Sequence, residues 1–262
     1  CLCRFPGCPV GVRSPVQVRG HAMKYAILGD IHANLDALNA VLADSKKEGV
    51  THYVSIGDVV GYNAYPSECL ETLRGMKIPI VRGNYDHYCS IDQDTEGFHP
   101  VAAEVINWTR KQLTPEQRAF LKTLPYTMRV ETFTLVHSTL DAPEKWGYVL
   151  DRYDAEANFN YQTTSVCFYG HTHIPIAFEK GDDIRSGLYQ KIKIKLGRKY
   201  FINVGSVGQP RDRDPRAAYV IFDMLSNTVE IRRVDYDIKA AQARIREAGL
   251  PERVASRLAV GQ

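Results

Sequence analysis

From Met23 onward, short apolar runs alternate with stretches of helical periodicity. Residues 24–29 form an apolar run closed by glycine and read as a strand. Asn34 then stands where a helix N-cap belongs, and Leu35, Leu38, Val41 and Leu42 fall on one helical face. Residues 51–57 read as the next strand, 66–74 as a short helix and 78–82 as a third strand. Alternation of this kind predicts right-handed βαβ crossovers and a mostly parallel sheet. Helices follow over 101–112 and 114–124, the second opened by Thr114 as N-cap, Pro115 at the first helical position and Gln117 at the capping-box position. Beyond them, 126–130, 133–137, 165–169, 174–179, 190–195, 200–204, 218–223 and 228–234 read as strands joined mostly by short polar turns. They predict a second sheet, antiparallel or mixed. A last helix, capped by Asp237, covers 238–249, and a short one follows Pro251. The expected organisation is one domain over 23–262, with two sheets and the helices outside them.

Composition bounds this picture. With 262 residues, 44% of them hydrophobic and 24% charged, the chain can bury a sizeable core, so general disorder is excluded. No run approaches the roughly 18 apolar residues that would span a bilayer, and no membrane association is expected. The formal net charge of +3 is unevenly placed. Arg4, Arg13 and Arg19 lie in residues 1–22, which hold no Lys, Asp or Glu; removing these three from the 33 basic residues leaves 30 against 30 acidic ones. A balanced body argues against a protein that grips duplex nucleic acid through its phosphates.

Residues 1–22 also carry Cys1, Cys3 and Cys8 among prolines and glycines, without helical or strand periodicity. Gly11, Arg13 and Pro15 break any signal-peptide core. The C-x-C-x4-C spacing lacks the paired C-x2-C of a zinc knuckle, and His21 is a distant fourth ligand. A flexible N-terminal extension is expected, from cloning or an upstream start, with Met23 as the natural beginning. Cys69, Cys89 and Cys167 are far apart and odd in number, as small core residues of a reducing, cytoplasmic protein would be.

Five polar motifs each fall just after an apolar run: Gly29-Asp30-Ile31-His32, Gly57-Asp58-Val59-Val60-Gly61, Gly83-Asn84-Tyr85-Asp86, His137, and Gly170-His171-Thr172-His173. Ligands bind at the carboxyl ends of strands in α/β sheets, so the five would meet in one place. Carboxylate, imidazole and amide oxygen without thiolate suit a hard or borderline metal. In an extended segment residues i and i+2 share a side, so Asp30 with His32, and His171 with His173, would each aim two ligands at one centre. Seven ligands exceed the need of one ion and suit two, about 3.5–4 Å apart with a shared carboxylate. Isolated histidines such as His52 and His99 are read as ordinary structural side chains.

The set GDIH, GDVVG, GNYD, a lone His after a strand, and GHTH resembles the calcineurin-like metallophosphoesterase superfamily across essentially all of 23–262. The resemblance implies a four-layer αββα sandwich of two mixed sheets flanked by helices. It further implies that Asp30, His32 and His173 hold one metal, that Asn84, His137 and His171 hold the other, and that Asp58 bridges both. Mn2+ is the expected ion, with Fe, Zn or Ni accepted by the same donors. A water shared by two such ions is acidic enough to serve as hydroxide near neutral pH and attack phosphorus in line, with no phosphoenzyme.

One position departs from the family pattern. Tyr85 stands where the family commonly has a histidine that protonates the leaving oxygen. An unperturbed tyrosine, with a pKa near 10, is poorly matched to that task. Either His87 substitutes, if the loop bends, or Tyr85 is a wall of the pocket. Phosphodiesters or phosphoanhydrides of aryl or nucleotide type are therefore the expected substrates. The loop from Asn203 to Asp212 resembles the family's Asn-Pro-Gly-Ser segment with Val204 for proline; its glycines would let backbone N–H groups approach a ligand, and Arg211 would clamp a phosphate oxygen. Gly61 and Tyr62 would shape the same pocket. The alternatives are a Ser/Thr protein phosphatase-like phosphomonoesterase and a non-catalytic scaffold of the same fold. An exposed strand edge would support a homodimer.

Overall fold

In the computed structural model, which describes residues 23–262, the chain opens with β1 (Lys24–Leu28), α1 (Leu35–Lys47), β2 (His52–Ser55) and α2 (Pro66–Met76). Three helices follow, α3 (Asn84–Ser90), α4 (Pro100–Gln112) and α5 (Pro115–Thr123), then β3 (Thr127–Val130), β4 (Phe133–Val136), α6 (Arg152–Tyr161) and β5 (Val166–Tyr169). The remainder runs β6 (Ile176–Lys180), β7 (Ile184–Leu188), β8 (Lys191–Lys193), β9 (Lys199–Asn203), β10 (Ala217–Asp223), β11 (Thr228–Val234), α7 (Ile238–Glu247) and α8 (Glu252–Leu258). The extension expected at 1–22, with its three cysteines, lies outside the described residues.

The strands form a five-stranded sheet in the order β2-β1-β10-β11-β8 and a six-stranded sheet in the order β3-β4-β5-β9-β6-β7. Both are mixed. The first is not mostly parallel as the βαβ pattern predicts: only β1 and β2 run parallel, and β10 enters antiparallel on the other side of β1. Parallel pairing recurs in the second sheet, between β4, β5 and β9. Local alternation shows that a crossover exists but says nothing of a strand returning from nearly 200 residues away.

Period-two alternation assigns each strand's faces. In β1, Tyr25 and Ile27 point between the sheets, where they join Phe222 of the first sheet and Phe133 and Phe168 of the second. Phe133 meets Phe222 edge-on at 5.6 Å between centroids, and Tyr25 at 5.1 Å. Ala26 and Leu28 face the other way, under helices including α1, α2, α7 and α8. The outer face of the second sheet packs Cys167, Tyr169 and Phe201 against Phe159 of α6. Helices therefore cover both outer faces, giving the αββα sandwich.

Helix starts follow the expected capping chemistry. Asn34 accepts from the Ala37 N–H at 3.1 Å, and Thr114 with Gln117 forms a reciprocal capping box. His99 caps α4 and His52 stays exposed, both ordinary structural roles. The strand expected at 78–82 reduces to one bridge, Ser55 to Ile80, because Pro79 has no N–H to extend a ladder and Gly83 already begins α3. Three elements lie outside the sequence expectations: α3, α6 and β7. Helix α6 buries only Ala155, Asn158 and Phe159, a stripe too weak to show periodicity, although Asp151 and Asp154 form a capping box. Strand β7 is mostly exposed and carries no apolar alternation. Cys69, Cys89 and Cys167 are buried free thiols. Among the described residues no helix is long and apolar enough to cross a membrane.

Candidate metal centre

The seven candidate ligands arise from the carboxyl ends of β1, β2, β4 and β5 and from the first residue of α3. Their convergence does not come from extended backbone. Asp30, His32, Asp58, His171 and His173 have φ of 50°, 47°, 50°, 66° and 61°, the left-handed region that non-glycine residues avoid. Such residues cost of order 1–3 kcal/mol each where surroundings force them. Here the surroundings are backbone hydrogen bonds between loops: Asp30 N–H to the Gly57 carbonyl at 3.1 Å, His32 N–H to the Asp58 carbonyl at 2.8 Å, and Gly208 N–H to the Asp30 carbonyl at 3.0 Å. Left-handed residues curl each loop, so His171 and His173 serve different partners rather than one centre.

The donor atoms form two groups. Near the first, His32 Nε2 and His173 Nε2 lie 3.1 Å apart, and His173 Nε2 is 3.3 Å from Asp30 Oδ1. In the second, His137 Nε2 lies 3.0 Å from Asn84 Oδ1 and 3.2 Å from His171 Nδ1. Asp58 Oδ2 stands between them, 3.4 Å from His32 Nε2 and 3.5 Å from His137 Nε2. Asp30 also lies close enough to share donors with both Asp58 and His137, so two carboxylates sit between the groups. One Asp58 oxygen reaches a histidine of each group.

The outer nitrogens decide the protonation of the inner ones. His32 Nδ1 faces the Val60 carbonyl at 3.1 Å, His137 Nδ1 that of Ile56 at 3.0 Å, His173 Nδ1 that of Gln209 at 2.6 Å, and His171 Nε2 that of Trp146 at 3.0 Å. A carbonyl only accepts, so each outer nitrogen donates and carries the ring's proton. The inner nitrogens are then bare lone pairs, all turned toward one another and toward buried carboxylates. Burial holds all four imidazoles neutral, His137 lowered to about 4 and His171 to about 3. Lone pairs 3.1–3.2 Å apart, with no ring proton between them, suit a shared cation. The set of nitrogen and oxygen donors, without thiolate, matches divalent ions of the Mn-to-Zn series.

The carboxylates tell the same story from the other side. Burial pushes Asp30 up to about 6, and Asp58 is raised well above the usual carboxylate range by burial and then by its neighbours Asp86 and Asp30. Without a counter-cation Asp58 is biased toward its protonated form and Asp30 joins it below about pH 6, while the imidazoles stay neutral. A cation must therefore displace protons from aspartates. Mn2+ binding is expected to be weaker at about pH 5.5 than at about pH 8 and to release more protons per ion at the lower pH. Calorimetry in two buffers of different ionisation enthalpy measures this; equal affinity with no buffer dependence would contradict it.

A cavity of about 200 Å³ opens on the centre, lined in part by Asp58, Asn84, His171, His173 and Arg211. Tyr85 lines it too, buried, its ring edge-on to His32 at 5.2 Å and 4.5 Å from the Tyr62 ring. Gly61 makes this possible: at φ +89° it has no side chain where a Cβ would come within 2.5 Å of the Tyr85 ring. His87 lies elsewhere. It packs against Tyr88 and Trp146 at 5.1 and 5.7 Å and is not on the cavity wall; burial and Arg82 lower its pKa.

Arg211 donates to Gln209 Oε1 at 2.9 Å and to the Tyr62 hydroxyl at 3.3 Å, and it has no ion-pair partner among the described residues. Its charge therefore faces the site un-neutralised. The loop before it does not offer backbone donors to a ligand. Val207 and Gly208 spend their N–H groups on the Gly29 and Asp30 carbonyls, and a Cβ on Gly208 would come within 1.8 Å of the Ile31 oxygen. These glycines serve close loop packing.

Four residues with structural importance escape a motif reading. Asp86 accepts from the Val59, Val60 and Gly83 N–H groups at 2.9, 3.3 and 3.1 Å, tying the Asp58 loop to the start of α3. Ser206 donates to the Asp30 carbonyl at 2.7 Å, and Asn203 to the Gly170 carbonyl at 2.8 Å. Trp146 supplies the carbonyl that orients His171. Asp86 lies inside the GNYD motif and Asn203 and Ser206 inside the 203–212 loop, without a role that those patterns assign; a backbone carbonyl from Trp146 leaves no trace in residue identity. A groove of about 820 Å³ between the β7–β8 turn and β11 is larger than the site cavity but contains none of the candidate ligands.

Comparison with known proteins agrees with this geometry. Residues 23–227 match the calcineurin-like phosphoesterase superfamily domain. An uncharacterized protein of Methanocaldococcus jannaschii is 38% identical over 242 residues, covering 90% of this chain and 98% of that one. Phosphodiesterase YfcE of Escherichia coli is 28% identical over 217 residues, 79% of this chain and 89% of the enzyme. A solved metallophosphoesterase from Sphaerobacter thermophilus superposes with a TM-score of 0.82 at 39% identity, covering 92% of this chain and all of that one. The chain belongs to the calcineurin-like phosphoesterase superfamily and is a metal-dependent phosphoric ester hydrolase.

Proposed function

We propose that this protein is a cytoplasmic two-metal hydrolase of phosphodiester or phosphoanhydride bonds, acting on small aryl or nucleotide-type substrates. The observation that carries the reading is the pair of donor groups separated by Asp58, each with inward lone pairs and outward-donating histidines. Asp30, His32 and His173 would hold one ion, Asn84, His137 and His171 the other, and Asp58 both. Mn2+ is the favoured pair, and Fe, Zn or Ni suit the same donors. Divalent ions held there supply Lewis acidity, acidifying a coordinated water and neutralising charge on phosphoryl oxygens.

The chain's own residues do the rest. The outer N–H of each histidine, fixed on a carbonyl, keeps the inner nitrogen a donor through the reaction. Arg211, braced by Gln209 and Tyr62, offers the guanidinium that would hold a phosphate oxygen. Tyr85 keeps its phenolic proton: burial, then Tyr62 and Asp58, raise it well above a normal tyrosine. It can donate a hydrogen bond to a leaving oxygen but is a poor source of a proton. His87, packed on Trp146 and off the cavity wall, is not placed to supply one.

Leaving groups that need little protonation are therefore favoured, such as aryl oxides and phosphates. A panel under Mn2+ tests this, setting aryl diesters, aryl monoesters, dinucleoside polyphosphates and a phosphopeptide side by side. The phosphopeptide should be slowest; fastest turnover of the phosphopeptide would overturn the substrate class. Tyr85→His places a better acid at the same wall. It is expected to raise kcat on alkyl monoesters by at least about tenfold, within the range of general acid catalysis. An unchanged kcat would count against the assignment of Tyr85.

A further inference from the structure

The cavity beside the metal centre is lined by apolar and aromatic residues as well as by candidate ligands. The apolar and aromatic residues come from α3, α4 and the loop between them: Tyr88, Phe98, Ala102 and Ile106, with Tyr85 and Tyr148 adjoining. Tyr88 lies four residues after Asn84 on α3, so its ring stands one turn from a candidate ligand on the same helical face. Ala102 and Ile106 share a face of α4 by the same spacing. Phe98 meets the Tyr88 ring edge to face, at 4.8 Å and 85°. Tyr148, 55% exposed, lies against the His171 ring at 4.4 Å, tilted by 31°, and forms a rim.

Size narrows the occupant. A dry cavity of about 150 Å³ accommodates benzene. At about 200 Å³, part of it bordered by the candidate ligands, this one is on the scale of a single aromatic ring. The small side chain of Ala102 leaves the space open.

We infer that Tyr88, Phe98, Ala102 and Ile106 form a subsite for one planar aromatic ring of the substrate, an aryl ester group attached directly to the phosphoryl group held at the metal centre. The inference rests on the hydrolase reading above and names what that site selects. Aromatic wall residues favour a planar aromatic occupant over a saturated one, because paired rings attract through their quadrupoles beyond the area they bury.

Non-hydrolysable phosphonates test the subsite by calorimetry on the full, Mn2+-loaded chain, independently of turnover. Phenylphosphonate is expected to bind about tenfold more tightly than methylphosphonate, the scale of one stacked ring. Cyclohexylphosphonate, equal in bulk but not planar, should fall closer to methylphosphonate. Phe98→Ala should bring the phenyl-to-methyl ratio near one. Ala102→Phe, which fills the space instead of emptying it, should do the same and covers the case in which Phe98→Ala does not fold. Equal binding of phenyl- and methylphosphonate by the unaltered protein would overturn the subsite, as would a ratio untouched by both substitutions. Cyclohexylphosphonate binding as tightly as phenylphosphonate would overturn its aromatic character. In each of these outcomes the phosphonates still bind and the hydrolase reading stands; that reading fails if no phosphonate binds the metal-loaded chain and no phosphate ester is turned over.

Discussion

Asp58→Asn is expected to lower kcat/KM by about 10³ while leaving the metal-free fold at least as stable as the unaltered one. The first half follows from position: Asp58 Oδ2 is within 3.4–3.5 Å of a histidine from each donor group, and an amide cannot supply the negative charge that holds two cations together. Losing one preorganised electrostatic contact at a reacting centre costs about 10²–10³ in rate. The second half follows from what the carboxylate costs without metal. Its pKa is raised above the unfolded value by burial, Asp86 and Asp30, so above that unfolded value the charged form disfavours the native state. Asparagine removes that penalty, and its oxygen can still accept the Tyr85 N–H that Asp58 Oδ1 takes at 2.8 Å. Thermal melting of the metal-free forms beside kinetics of the loaded forms separates the two effects. Activity within tenfold of the unaltered protein would show that Asp58 does not bridge.

Gly83→Ala should disable the centre without replacing any candidate ligand. Gly83 has φ −92° and ψ 172°, ordinary extended backbone that alanine adopts freely, so no conformational strain is involved. The added Cβ would instead lie 2.1 Å from Asp58 Oδ1 and 2.3 Å from the Asp58 nitrogen. Neither is the loose end of a flexible chain, and the Asp58 loop must shift. A displacement near 1 Å costs about 10² in rate, and overpacking a buried contact destabilises by about 1–3 kcal/mol. Gly75→Ala is the matched control. It lies in α2 with nothing within 4 Å of the new Cβ, so activity should be unchanged and stability equal or slightly higher. Similar behaviour of the two variants would remove the steric argument.

The site was more legible than the sheet that carries it. Asp30, Asp58, Asn84, His137 and His171 each directly follow an apolar run or its glycine, with His32 and His173 two positions further on, and the rule that strand ends converge was enough to bring them together. The reason for that convergence was not legible. Extended i, i+2 geometry was expected, whereas left-handed φ at five of the seven, held by bonds such as Gly208 N–H to the Asp30 carbonyl, makes the turn. Such bonds join residues far apart in the chain through backbone atoms, which residue identity does not record.

The same limit explains the first sheet. The apolar pattern of β10 gives its existence and its faces, but its place beside β1 depends on pairing of Lys24 with Asp223, a choice among many apolar partners. Helix α3 was hidden by its own motif: Gly-Asn-Tyr-Asp reads as a loop until Asp86 is seen accepting the Gly83 N–H, which makes it a helix start. This changes the meaning of His87. In a bending loop it would face the substrate; on a helix it is carried to the Trp146 side.

The most direct measurement is the metal content of the purified full chain after Mn2+ loading, taken together with hydrolysis of an aryl phosphodiester titrated against bound metal. The donor geometry predicts two ions per chain and activity that follows the occupancy of both. A chain that binds no ion, or one that hydrolyses the diester equally well with its metal removed, would contradict the account.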